Sequence, residues 1–190
     1  MFPVDAFQKT IDKAGELFSR HNIRFHLTGG VTSVLFGEPR MTQDIDVVID
    51  PVATANAVEE LITSLGSSDF LFSAPAIRAA VHDGRMFQLF DQAETLKLDI
   101  YPRELIPGEL DRSELVELFE GTRYPVTSPT DAAVSKLIWI SKGSHKSRRD
   151  VRQIYQYVDS NHKKAIRALA EELNLSDLLD EVLVEPDEID

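Results

Sequence analysis

The sequence predicts an α+β fold: a small β-sheet with flanking helices, followed by a C-terminal helical segment. Three observations lead there. Residues 23–28, 44–49, 85–90 and 96–101 are short alternating or apolar stretches, the signature of strands. Apolar residues at helical spacing fill most of the intervals around them. Beyond Ser128 the pattern is helical throughout.

Taken in order, Phe7, Ile11, Leu17 and Phe18 recur at near-helical spacing and predict an amphipathic helix over residues 4–20. Ile23, Phe25 and Leu27 alternate with Arg24, His26 and Thr28, the period of a strand with one buried face, and this strand runs into Gly29-Gly30. Residues 31–36 predict a short helix ended by Gly37 and Pro39. After the strand at 44–49, Asp50 as cap and Pro51 in the first turn start a helix with a stripe of Val58, Leu61, Ile62 and Leu65, stopped by Gly66. A short strand at 70–72 and a helix over 75–81 follow. The strands at 85–90 and 96–101 flank Asp91-Gln92-Ala93-Glu94 and form an antiparallel hairpin. Pro102, Pro107 and Gly108 break the pattern, residues 113–119 read as a small helix, and Pro125 breaks it again. Ser128-Pro129-Thr130-Asp131 opens a helix with Ala133, Leu137, Ile138 and Ile140 on its apolar face, and Trp139 reads as core. Another helix carries Val151, Ile154, Tyr155 and Val158, and two more cover 162–173 and 176–183. The expected organisation is a core at 1–106, a helical segment at 107–184 packed on it, and an acidic tail at 185–190, with 102–125 as the seam.

Composition narrows the function classes. With 190 residues, 43% hydrophobic and 27% charged, the chain has enough material for a buried core. No run approaches the roughly 18 apolar residues needed to cross a bilayer, and the N-terminal residues lack a basic flank followed by an apolar core, so no membrane partner and a cytoplasmic location are expected. Zero cysteines remove disulfides and thiolate metal sites. The net charge of −12 argues against a nucleic-acid partner, but its distribution weakens that objection. Residues 171–190 carry nine acidic and no basic side chains, leaving −3 for the first 170 residues.

Chemistry concentrates between Leu27 and Asp50. On a strand, residues two apart share a face, so Asp44 and Asp46 point the same way. Two such carboxylates repel unless a cation sits between them, and hard oxygen ligands suit Mg²⁺. Gly29-Gly30 precedes a short helix, and glycine lets a phosphate approach the backbone N–H groups. Leu96-Lys97-Leu98-Asp99-Ile100-Tyr101, a later strand of the same character, offers a third inward carboxylate at Asp99. For Arg40 two readings stand, a bidentate phosphate contact or a solvated loop arginine. Thr28 and Thr42 either line the pocket or bond the local backbone. Lys142, Lys146, Arg148, Arg149 and Arg152, with His145, form the one concentrated positive run in the sequence. It suits a triphosphate, an RNA acceptor or an acidic partner, or is a solvated loop paired with nearby acids such as Asp150. The five histidines show no metal-ligand spacing.

The order of these features resembles the nucleotidyltransferase superfamily of the DNA polymerase β type: a Gly-Gly turn, an Asp-x-Asp strand, and a third acid on a neighbouring strand. Gly29-Gly30 through Gly37-x-x-Arg40-x-Thr42-x-Asp44-Ile45-Asp46 is especially similar to the minimal nucleotidyltransferases that include toxins of abortive-infection (AbiEii-like) toxin–antitoxin systems. Ser128-Pro129-Thr130-Asp131 to Lys136-Leu137, then Arg148-Arg149-Asp150, looks like the helical region of those proteins, and the resemblance spans roughly residues 23–158. It implies a small mixed β-sheet of the nucleotidyltransferase fold. Asp44 and Asp46 then ligate one or two Mg²⁺ ions that also grip the triphosphate of a nucleotide, and Gly29 and Gly30 hold its phosphates. Asp99 completes the second metal site and helps deprotonate the attacking hydroxyl, and Lys136 makes a nucleotide or phosphate contact, against the plainer reading of a snorkelling surface lysine.

The leading expectation is therefore Mg²⁺-dependent transfer of a nucleoside monophosphate from a nucleoside triphosphate to a macromolecule, an RNA such as tRNA or a protein hydroxyl, in a toxin with an antitoxin partner. Two other classes compete. A catalytically silent nucleotide-binding or partner-binding module is suggested by the acidic tail, although retention of all three acids argues against lost chemistry. Transfer to a small molecule such as an aminoglycoside suits the negative charge but not the basic run.

Overall fold

A computed structural model describes residues 4–37 and 44–186. The chain divides into two compact units, one made of Met1–Val31 with Met41–Thr127, the other of Thr32–Arg40 with Ser128–Asp190.

The first unit is built on a seven-stranded mixed sheet. Its strands are β1 (Phe25–Thr28), β2 (Asp44–Ile49), β3 (Phe70–Leu71), β4 (Phe87–Asp91), β5 (Leu96–Tyr101), β6 (Glu114–Phe119) and β7 (Thr122–Val126), in the order β3-β4-β5-β2-β1-β7-β6. β2 runs parallel to β5 and antiparallel to β1, so it lies at the centre of the site described below.

Side-chain alternation gives this sheet two unlike faces. Leu27, Ile45, Val47, Ile49, Leu96, Leu98, Ile100, Phe87 and Leu89 share one face and are all buried. Helix α1 (Val4–Arg20) covers it, with the Phe18 ring 5.6 Å from that of Phe25. Burying each large aliphatic side chain contributes about 1.5–3 kcal/mol, so this face carries much of the unit's stability. One acid is buried there too. Asp91 is held by Lys13 Nζ at 3.0 Å and Thr10 Oγ1 at 2.9 Å, both from α1, which keeps its carboxyl below the usual range despite desolvation.

The opposite face is polar at one end and closed at the other. His26 is fully buried there; its Nδ1 lies 2.7 Å from Ser113 Oγ, and Nε2 lies 3.9 Å from Glu109. Residues 102–113 thus fold over the His26 end of the face. Thr28, Asp44, Asp46, Lys97 and Asp99 occupy the other end.

Two elements differ from expectation. Residues 113–119 are a strand instead of a helix: β6 pairs antiparallel with β7 through a tight turn in which Gly121 takes φ 74°. Glu120-Gly121 is the turn signal of this hairpin, and Pro125, a breaker by residue type, sits within β7 opposite Leu115. The helix after Asp50 is two helices, α3 (Pro51–Asn56) and α4 (Val58–Leu65), divided at Ala57. Asp50 does cap the first, its carboxylate accepting from the N–H groups of Val52 and Ala53. A further helix, α5 (Ala74–Asp83), follows β3.

The second unit is helical. Helix α2 (Gly30–Phe36) begins in the first unit and continues into this one. α6 (Pro129–Ser141) starts at Ser128, whose hydroxyl accepts the Asp131 N–H at 3.1 Å and donates to the Asp131 carboxylate at 2.7 Å. Ala132, Ala133, Val134, Leu137 and Ile140 of α6 pack with Val151 and Ile154 of α7 (Lys146–Tyr157), Ile166 of α8 (Ser160–Glu172) and Leu179 and Val182 of α9 (Ser176–Val184). Trp139 is not core: it is 39% exposed, with the Lys142 ammonium 5.3 Å from its ring centre. Among the described residues no helix is long and apolar enough to cross a membrane.

Candidate functional site

The parallel pairing of β2 with β5 sets Asp46 opposite Asp99 and Asp44 opposite Lys97. The antiparallel pairing of β1 with β2 sets Thr28 opposite Asp46. Three carboxylates separated in sequence therefore meet on one face because the backbone ladder fixes their register.

Gly29 makes the tightest approach. Its φ is +62°, and a Cβ built on it would lie 1.9 Å from Asp46 Oδ2 and 2.5 Å from Cγ. Only glycine accommodates both the backbone conformation and the carboxylate against it. The Gly30 N–H donates to Asp46, and the Tyr101 hydroxyl lies 3.3 Å from Asp46 Oδ1. Burial, followed by the charges of Asp44 and Asp99, pushes the Asp46 carboxyl up to about 6, and these two hydrogen bonds offset only part of that. Burial, followed by the charges of Asp46 and Asp99, raises the Tyr101 phenol above its usual range.

Asp99 is 7% exposed and both its oxygens are engaged: Gln88 Nε2 donates to Oδ1 and Lys97 Nζ to Oδ2, each at 2.9 Å. Lys97 also lies 3.4 Å from Asp44 Oδ2. Hydrogen bonding to Asp99 is the main cause of a raised Lys97 pKa. Lys97, Gln88 and Tyr101 were not singled out from the sequence, although Lys97 and Tyr101 stand two residues either side of Asp99 and so share its face.

The donor set of Asp44 and Asp46 is carboxylate oxygen only, which fits a hard divalent cation. Among the described residues no three acid or histidine side chains converge as a ready-made cage.

Arg40 and Thr42 lie outside the described residues. Lys136 belongs to the second unit, where it is 6% exposed and donates to Ser33 Oγ and Asp150 Oδ2, each at 2.9 Å, while Ser33 donates to the same Asp150 oxygen at 3.0 Å. It is a buried member of a charged cluster and not a snorkelling surface lysine. In the basic run, Lys142 and Lys146 are exposed. Arg148 pairs with Glu181 at 2.9 Å and with Glu185, Arg152 pairs with Glu185 at 3.0 Å, and Arg149 is exposed. The positive run of α7 is thus partly neutralised by acids of α9 and the residue after it.

Against known proteins, residues 15–185 match the model of the family described as nucleotidyl transferase AbiEii toxin, type IV TA system. The fold is similar to a nucleotidyltransferase-like antigenic protein from Paracoccidioides brasiliensis, with 19% identity, 94% of each chain covered and a TM-score of 0.51. It is also similar to the lincomycin-bound lincosamide antibiotic adenylyltransferase LnuA, with 16% identity, 83% of this chain and 99% of that one covered, and a TM-score of 0.51. A third similar structure is the antibiotic-resistance factor ANT(2'')-Ia in solution, at 13% identity, 95% and 91% coverage and a TM-score of 0.50. A comparison with curated proteins finds no match.

Proposed function

Because the chain belongs to the AbiEii nucleotidyltransferase toxin family, we propose that it moves a nucleoside monophosphate from a nucleoside triphosphate to a macromolecular hydroxyl, with Mg²⁺ held at Asp44, Asp46 and Asp99. The acceptor is an RNA such as tRNA, or a protein. The chain acts in the cytoplasm as the toxin of a toxin–antitoxin pair and has a cognate antitoxin.

The single observation that carries the reading is the placement of Asp44, Asp46 and Asp99 on one sheet face, fixed by the β2–β5 register. The acceptor hydroxyl oxygen bonds to the α-phosphorus, the bond to the bridging oxygen of the β-phosphate breaks, and pyrophosphate leaves. A divalent ion held by these carboxylates would supply charge that neutralises the phosphates and the charge developing during transfer. Gly30 and Tyr101 aim Asp46 through their hydrogen bonds. Gly29 leaves room for that carboxylate, and the Gly29-Gly30 backbone with Thr28, Arg40 and Thr42 lines the nucleotide. Asp99, oriented by Gln88, takes the proton of the attacking hydroxyl. On the second unit, Lys142, Lys146, Arg148 and Arg149 provide the positive surface for an anionic acceptor.

The test incubates the protein with each α-³²P-labelled nucleoside triphosphate, MgCl₂, and either total RNA or protein lysate. Label is expected in one macromolecular fraction and lost in Asp46→Asn and Asp99→Asn. Transfer that persists in Asp46→Asn overturns the assignment, and metal-independent nucleotide binding without turnover favours a binding module. Induced expression should arrest growth in native form and not as Asp46→Asn.

A further inference from the structure

Three carboxylates on one face need compensating charge, and the protein supplies some of its own. Lys97 projects from β5 on the same face as Asp99, two residues away, and stands in register with Asp44 on β2. Its ammonium is 2.9 Å from Asp99 Oδ2 and 3.4 Å from Asp44 Oδ2, so it spans the two strands between those acids. Gln88 holds the other Asp99 oxygen from β4. Asp46, by contrast, receives only the Gly30 N–H and the Tyr101 hydroxyl among the bonds described above, both uncharged donors.

We propose that Lys97 is the resident cation of this centre: its ammonium fills the space between Asp44 and Asp99 until a divalent ion displaces it. The inference rests on reading Asp44, Asp46 and Asp99 as the metal-holding carboxylates. A lysine in this position keeps Asp99 charged and aimed while no metal is bound, and it makes binding of the bare ion weak, because a charge-assisted hydrogen bond has to be given up first. An ion that arrives already bound to the phosphates of a nucleotide brings compensating contacts of its own. Metal loading is thereby coupled to nucleotide arrival, and the displaced ammonium is left beside a bound triphosphate as a partner for its oxygens.

Two measurements without nucleotide test this. In the first, Mn²⁺ is titrated into native protein, Lys97→Met and Lys97→Arg, with free Mn²⁺ followed by electron paramagnetic resonance and folding checked by circular dichroism. Lys97→Met should bind Mn²⁺ roughly tenfold more tightly, and Lys97→Arg, which keeps the charge, should stay near native. Equal or weaker binding by a folded Lys97→Met overturns the inference alone, leaving the metal reading intact. Absence of Mn²⁺ binding by both native and Lys97→Met overturns the metal reading together with it. The second measurement uses only native protein: brief amine acetylation with and without Mn²⁺, read by peptide mass spectrometry. Lys97 modification should at least double with Mn²⁺ while Lys9 and Lys164 stay constant, and an unchanged or reduced Lys97 signal overturns the displacement.

Discussion

Replacing Asp46 by asparagine should abolish transfer and yet stabilise the metal-free protein. An ordinary aspartate titrates near 3.8, and in the fold Asp46 is held up to about 6, first by burial and then by Asp44 and Asp99. At about 1.4 kcal/mol for each tenfold change in proton affinity, the folded state is penalised by about 3 kcal/mol when Asp46 is ionised. A carboxyl raised in this way favours the fold fully below its unfolded value and loses that contribution as pH rises through its folded value. The penalty is therefore absent near pH 3.8, grows between 3.8 and about 6, and is complete above it. Asparagine removes the charge and keeps an oxygen for the Gly30 N–H, so the expected gain at pH 7.5 is about 1–3 kcal/mol, after allowing for poorer contacts with Tyr101. Urea unfolding in EDTA at several pH values from 5 to 8 measures it. The gain should shrink toward pH 5, and MgCl₂ should narrow the difference by stabilising the native protein alone. An Asp46→Asn protein no more stable than native at pH 7.5, or one whose gain is independent of pH, refutes the reasoning.

Gly29→Ala should reduce transfer by at least a hundredfold, because its Cβ would lie 1.9 Å from Asp46 Oδ2 at φ +62°. Single-turnover labelling reads the loss, and circular dichroism should show the fold retained. In the second unit, Lys136→Met and Asp150→Asn should each cost about 3–5 kcal/mol, since either leaves a buried charge behind. The double change Lys136→Met with Asp150→Leu should recover part of that loss in thermal unfolding. Converting Glu181 and Glu185 to glutamine should change stability by less than about 1 kcal/mol. It should tighten salt-dependent RNA binding in filter assays by exposing Arg148 and Arg152, which those acids now pair.

The period of two along residues 23–28, 44–49 and 96–101 was enough to place Asp44, Asp46 and Asp99 on strands and to give the α+β class. The same period puts Lys97 on the face of Asp99. What it cannot encode is that β5 lies parallel to β2 with Lys97 opposite Asp44, because register across strands depends on pairing between segments far apart in the chain. The Ser33, Lys136 and Asp150 cluster was illegible for the same reason, since it draws on three helices. Strand β6 was lost because its own side chains are mostly exposed or half-buried, leaving no strong apolar alternation to read; only its turn and its partner β7 identify it. The acidic C-terminal stretch and the basic run were each visible, but their ion pairs depend on how α7 and α9 pack. Trp139 was assigned to the core on residue type, where Lys142 three positions later marked an exposed cation–π pair.

The parallel pairing of β2 with β5 also constrains when the site can exist. Asp46 and Asp99 lie more than fifty residues apart, and no local hairpin joins their strands, so their meeting waits for long-range closure. A chain still being synthesised holds Gly29, Asp44 and Asp46 long before β5 is made, and in that interval it lacks the third carboxylate and the lysine beside it. Reactivity is thus deferred until most of the first unit has been translated, a delay written into strand order alone, during which a partner could meet the nascent protein before it is able to act.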